Sequence, residues 1–197
     1  TRKDNFDSVL RGIEKAKKVG LSIKINTVAL RGINDDEFDD FIRWCGNNKY
    51  TLTLIETMPM GQVDSDRRKT FLPLSEVCED LKKRWTLETL KDNTGGPARY
   101  KLVKESNTKL GLITPMSHNF CMNCNRVRLS CTGKLYMCLG QNDSIDLKAI
   151  ARLSSDDKLI EKAIDKAIYF KPKEHDFLIK NSHISSGTSR QMSVTGG

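Results

Sequence analysis

Leu21-Ser22-Ile23-Lys24-Ile25-Asn26-Thr27-Val28 reads as a β-strand, and what lies on either side of it decides the fold. Before it, Phe6, Val9, Leu10, Ile13 and Ala16 recur at helical spacing, and Gly20 supplies the stop between the two patterns. After it, Asn34 is placed to cap a second helix carrying Phe38, Phe41, Ile42 and Cys45, and Thr51-Leu52-Thr53-Leu54-Ile55-Glu56 reads as the next strand. Helix, strand, helix, strand at this spacing implies parallel pairing with the helices outside. The first third of the chain therefore predicts part of an α/β barrel or open α/β sheet, and it is too short to close a barrel alone.

Further along, residues 64–69 read as a polar loop, and residues 74–85 predict a third helix with Ser75 as its cap. From Thr86 the pattern changes to short strands at 86–90, 98–103, 110–114, 127–130 and 134–137. Asn93-Thr94-Gly95-Gly96-Pro97 marks a turn, and Thr132-Gly133 suits a hairpin. Two helices, 146–153 and 156–169, precede a polar tail ending in Gly196-Gly197. The expected division is residues 1–73, the last strands and helices of an incomplete barrel, and residues 74–197, a β-rich α+β extension.

Composition narrows the class. With 38% hydrophobic and 29% charged residues, and no apolar run near the roughly 20 residues a membrane helix needs, no membrane span is expected. The N-terminus has neither an apolar signal region nor an initiator Met and reads as a truncation point. The net charge is +8, but lysines interleave with acids, as in Glu14-Lys15-Ala16-Lys17-Lys18, which predicts a solvated face rather than a nucleic-acid groove. Six cysteines without a secretory signal point to a reducing, cytoplasmic setting and to metal binding rather than disulfides. Cys45 and Cys78 sit alone in apolar helical patterns and read as core residues.

Chemistry concentrates in Phe120-Cys121-Met122-Asn123-Cys124-Asn125-Arg126-Val127-Arg128 and Gly133-Lys134-Leu135-Tyr136-Met137-Cys138. One tight turn can aim Cys121 and Cys124 at a single metal, with Cys138 one hairpin further on. If Cys131 joins them, four thiolates close a structural zinc site; if it does not, three thiolates can hold a [4Fe-4S] cluster with one iron open. Arg126 and Arg128, two apart on an extended segment, project to one face where they can grip an anion. Lys24 and Asn26 share a strand face, where Lys24 calls for an anion or a carboxylate such as Glu56. His118 could be a ligand but reads more readily as a loop hydrogen-bonding residue, and His175 and His183 carry no geometric signal.

These segments carry a resemblance. The run Gly111-Leu112-Ile113-Thr114-Pro115-Met116-Ser117-His118-Asn119-Phe120-Cys121 through Leu129, with Gly133-Lys134-Leu135 and Cys138-Leu139, resembles the C-terminal cluster motif of the GTP 3',8-cyclase family. Lys24-Ile25-Asn26-Thr27-Val28, Ile55-Glu56-Thr57-Met58-Pro59, Gly95-Gly96-Pro97-Ala98-Arg99-Tyr100 and Arg190-Gln191-Met192-Ser193 with Gly196-Gly197 fit it too. The resemblance implies a molybdenum cofactor biosynthesis enzyme of the radical S-adenosylmethionine type, built on a TIM-like (β/α)6 barrel. It implies that Cys121, Cys124 and Cys138 hold a [4Fe-4S] cluster that binds GTP, that Arg126, Arg128 and Lys24 bind the substrate, and that Met58 lines the S-adenosylmethionine site. Gly196 and Gly197 would enter the active site as catalytic residues. The pathway neighbour implied is a cyclic pyranopterin monophosphate synthase, and the family admits a homodimer.

Departures from the family qualify this. The chain has no C-x3-C-x2-C motif for the radical-generating cluster, so it is expected to be inactive alone. Thr53 stands where the family tends to place a phosphate-binding arginine. Cys131 falls at a position usually held by a small residue that is not a ligand. The competing class is a zinc-stapled module that binds a polyanion without catalysis.

Overall fold

The apolar periodicity of the first third produces helix α1 (Phe6–Lys18), strand β1 (Lys24–Ala29), helix α2 (Phe38–Asn48) and strand β2 (Thr51–Glu56). The computed structural model describes residues 5–60, 69–91, 95–118, 120–175, 177–180, 183–185, 188, 190–191 and 194. Gly20, at φ +79°, takes the left-handed turn that ends α1 ahead of β1. β1 and β2 pair in parallel, from Lys24 opposite Thr51 to Ala29 opposite Glu56, as a crossover through α2 requires.

Two expected caps are absent. Asn34 accepts from the Leu30 N–H at 2.9 Å and donates to the Val28 carbonyl at 3.0 Å, tying a turn together, and α2 begins later, behind Glu37. Helix α3 (Leu74–Leu81) starts behind Pro73, with Ser75 inside its first turn. The carboxylate that serves this helix comes from β2: the buried Glu56 accepts from the Leu74 N–H at 3.0 Å.

The strands read from the sequence as the start of an extension, β3 (Leu87–Thr89), β4 (Arg99–Val103) and β5 (Thr108–Ile113), join β1 and β2 in one five-stranded sheet, in the order β1-β2-β5-β4-β3. β5 runs parallel to β2, whereas β4 and β3 add antiparallel. Packing explains the recruitment. Leu52, Leu54, Leu110, Leu112 and Val103 lie on one sheet face and share a core with Ile42, Cys45, Leu74 and Leu81 from α2 and α3. No closed barrel forms among the described residues; the sheet is mixed and open, with β1 at one edge and β3 at the other. Cys45 and Cys78 are core residues as expected, and burial pushes the Cys45 thiol up to about 11.

Contacts divide the chain into two units, Thr1–Glu56 with Leu72–Thr114, and Thr57–Phe71 with Pro115–Gly197. The second contains an antiparallel sheet of β6 (Arg128–Leu129), β7 (Lys134–Tyr136) and β8 (Ser144–Asp146). Helices α4 (Leu147–Leu153) and α5 (Asp157–Tyr169) follow, then the pair β9 (Leu178–Lys180) and β10 (His183–Ser185). Asp146 and Asp156 cap α4 and α5 by accepting from the Ala149 and Lys158 N–H groups at 2.8 and 3.0 Å. Leu135, Met137 and Ala167 form a small core with Ile145, Leu147 and Ile164. No described helix is long and apolar enough to cross a membrane.

Candidate functional site

Cys121 opens a single turn of 3-10 helix, Cys121–Asn123, and the Cys124 N–H closes it on the Cys121 carbonyl at 3.0 Å. The chain then extends into β6, turns at Gly133 (φ +82°) and returns along β7 to Cys138. Cys121, Cys124 and Cys138 are all half-buried, while Cys131 is exposed on the hairpin turn. Among the described residues no three potential ligand side chains gather tightly enough to hold a metal ion. The donor set nevertheless suits a thiolate-held cluster, because two of the sulfurs already accept N–H groups: Cys138 from Gly140 at 3.4 Å and Cys124 from Arg126 at 3.6 Å.

The thiols differ in acidity. Burial pushes Cys121 above its ordinary range; a hydrogen bond from the His175 backbone offsets part of this, while Cys138 and Cys124 push the same way as burial. Burial also opposes ionisation of Cys124, but the Arg126 backbone and guanidinium, helped by Lys171, hold it below the ordinary range. The thiolate is the nucleophile, so iodoacetamide should modify Cys124 before Cys121 as pH rises. In Arg126→Ala the two reactivity profiles should converge. Mass spectrometry of the alkylated peptides across pH checks this, and earlier modification of Cys121 would contradict it.

Exposure alternates from Asn125 to Leu129, leaving Arg126 and Arg128 both half-buried, in keeping with the shared face expected of them. Arg126 also lies over the Phe120 ring, 5.2 Å from its centroid. Arg128 is paired in register with Tyr136.

Three supporting residues carried no geometric signal in the sequence, Arg190 entering only within a segment quoted for the resemblance. Lys171, just past α5, donates to the Arg126 carbonyl at 3.1 Å and the Met137 carbonyl at 2.6 Å, pinning both arms of the cysteine hairpin. His175 Nδ1 accepts from the Phe177 N–H at 3.2 Å, so Nε2 carries the proton donated to the Pro115 carbonyl at 2.8 Å. A Cβ on Gly140 would come 2.8 Å from the Phe177 ring, so a larger residue would force either that ring or the Cys138 loop to shift. The third, Arg190, reaches the same loop. Each lies dozens of positions from its partners, beyond the range of local patterning.

Lys24 lies in the first unit, on the exposed face of β1 that it shares with Asn26. It does not pair with Glu56: their register places them at opposite ends of the strands, on the order of 16 Å apart. Its Nζ donates instead to the Tyr100 hydroxyl at 2.8 Å, and Lys109 Nζ stands 4.5 Å from the same ring's centroid. Gly111 gives that ring its place, since a Cβ there would meet Tyr100 at 3.0 Å and Thr53 Oγ1 at 2.9 Å. Thr53 is buried, and its Oγ1 has no hydrogen-bond partner among the described residues. Met58 is half-buried just beyond β2, His118 is exposed, and Gly196 and Gly197 lie outside the described residues.

A model of the family described as Molybdenum Cofactor Synthesis C matches residues 50–177. The chain is 54% identical, along all 197 residues, to a GTP 3',8-cyclase of Rhizobium etli, of which it covers 57%. Identity is 51% to a GTP 3',8-cyclase of Brucella ovis and 53% to one of Sinorhizobium medicae, again along the whole chain, covering 57% and 56% of those proteins. The chain thus spans a little more than half the length of the curated relatives it matches.

Proposed function

Because this chain belongs to the Molybdenum Cofactor Synthesis C family and is homologous to GTP 3',8-cyclases, we propose that it is the GTP-binding portion of such an enzyme. The complete reaction converts GTP to 3',8-cyclo-7,8-dihydroguanosine 5'-triphosphate by radical S-adenosylmethionine chemistry. The carrying observation is the cysteine hairpin, which carries three half-buried thiols and where the Cys124 thiol, in contact with Arg126, is held below its ordinary range.

Cys121, Cys124 and Cys138 would hold the cluster. When bound, a [4Fe-4S] cluster on three thiolates supplies one iron without a protein ligand, a position for a donor atom of the guanine base. Arg126 and Arg128 orient the anionic substrate through charge-assisted hydrogen bonds, and Lys24, held by Tyr100, reaches the triphosphate. Met58 lines the S-adenosylmethionine pocket, and Gly196 and Gly197 enter the active site, where only unsubstituted backbone fits. With no C-x3-C-x2-C sequence among its 197 residues, the chain alone is expected to bind GTP without turning it over.

Anaerobic reconstitution tests this reading. About four irons and four sulfides per chain, with broad visible absorption that GTP perturbs, support it. Colourless protein holding one zinc, or a loaded cluster indifferent to GTP, would overturn it. Arg126→Ala should weaken GTP binding by about 1.5–3 kcal/mol, read from the same spectral titration, as loss of a charged hydrogen bond implies.

A further inference from the structure

Lys171 stands where α5 ends, its own N–H donating to the Ile168 carbonyl at 3.1 Å. The helix beneath it is fixed on β7, because Ile164 and Ala167 share a small core with Leu135 and Met137. From this base the ammonium donates to the Arg126 carbonyl at 3.1 Å and to the Met137 carbonyl at 2.6 Å. The first carbonyl lies two residues after Cys124 and the second immediately before Cys138, so one cation ties together the arms that carry these two thiols. The residues that follow continue the contact. The Glu174 carbonyl accepts from Gln141 Nε2 at 3.4 Å, the His175 N–H serves Cys121, and the Phe177 ring lies against Gly140. Arg190 braces the Cys138 loop alone, donating from Nη2 to the Leu139 and Gln141 carbonyls, both at 2.9 Å.

We propose that Lys171 is the positioning residue of the thiol site: by binding carbonyls on both arms it holds Cys138 within reach of the Cys121–Cys124 turn, so that a thiophilic centre engages three sulfurs rather than two. The proposal rests on the reading of the three cysteines as one ligand set. Cys121 and Cys124 need no such help, since their own turn closes with a 3.0 Å hydrogen bond. Cys138 does, because β6, the Gly133 turn and β7 separate it from them, and β6 offers only two residues for pairing. No ligand group is yet gathered among the described residues, so the arms must still close on loading. A clamp on both arms leaves less conformational entropy to lose in that closure, as supporting residues do behind other ligand sets.

Trivalent arsenic tests this without iron. Arsenite takes three thiols and phenylarsine oxide takes two, and both exchange neutral thiols for water without net proton release, so altered thiol acidity does not confuse the comparison. Titrations of the metal-free chain, with the thiols left free mapped by alkylation, compare the parent with Lys171→Met, which keeps the aliphatic stem and removes the donors. In the parent, arsenite should occupy Cys121, Cys124 and Cys138, and phenylarsine oxide only the first two. In Lys171→Met, arsenite affinity should fall about tenfold, roughly one residue's worth of backbone entropy, while phenylarsine oxide affinity stays unchanged. A merely structural lysine would weaken both reagents or neither. Unchanged arsenite affinity, equal loss for both reagents, or a parent complex that excludes Cys138 would overturn the clamp. Hydrogen exchange of α5 checks that the variant is folded. Should it not be, Lys171→Gln, one atom shorter and uncharged, gives the same comparison. If the parent takes up no iron and sulfide yet shows this arsenite contrast, the cluster reading fails and the clamp stands.

Discussion

Cys124→Ala is expected to lower iron uptake from about four per chain to near zero, whereas Cys131→Ala leaves it unchanged. The contrast follows from where the two thiols sit. Cys124 closes the turn that begins at Cys121, carries an N–H donor on its sulfur and has an acidity favouring the thiolate that iron requires. Two cysteines, 121 and 138, cannot hold a cubane by themselves, and no neighbouring carboxylate or imidazole among the described residues forms a ligand group with them. Cys131 is exposed on the hairpin turn, so its loss removes only surface. Iron and acid-labile sulfide assays after anaerobic reconstitution give the result directly. Equal loss from both variants would signify a four-thiolate site and restore the zinc reading.

Gly46→Ala is expected to destabilise the protein by about 2–3 kcal/mol, although alanine is the better helix former. A Cβ at residue 46, in α2, would lie 2.5 Å from the Ser106 carbonyl oxygen and 2.6 Å from Thr108 Oγ1. The carbonyl belongs to the β4–β5 turn, which cannot swing aside as the end of a flexible side chain would. The Thr108 hydroxyl is committed to the Ile42 carbonyl at 2.9 Å, so displacing it also costs a buried hydrogen bond. Gly12→Ala is the control. Gly12 lies within α1 with nothing inside 4 Å of a Cβ, and the same substitution there should stabilise by up to about 1 kcal/mol. Urea midpoints at unchanged slope measure both, and a neutral Gly46→Ala would refute the close packing of α2 on that turn.

Much of this was legible in the chain itself. α1, β2, α4 and α5 follow their apolar periods closely, because each period is complete within one element. The hairpin at Gly133 followed from turn chemistry, which is also local. Caps were less legible. Asn34 carries the right side chain for a cap and uses it in a neighbouring turn, while α3 takes its carboxylate from Glu56, eighteen residues away. Strands β8, β9 and β10 are three residues each, too short for alternation to stand out.

Sequence by itself determined the parallel helix-strand beginning, the spacing of Cys121, Cys124 and Cys138 beside two arginines, and the family. Each of these is written in residues close together along the chain. Only the tertiary structure decided that β3, β4 and β5 complete the first sheet, that Lys24 turns to Tyr100, 76 residues away, rather than to Glu56, and that Lys171 and Arg190 support the cysteine hairpin. Those choices are settled by which apolar faces must be buried together and which polar groups then lack water. That balance is struck between distant segments, and no local pattern records it.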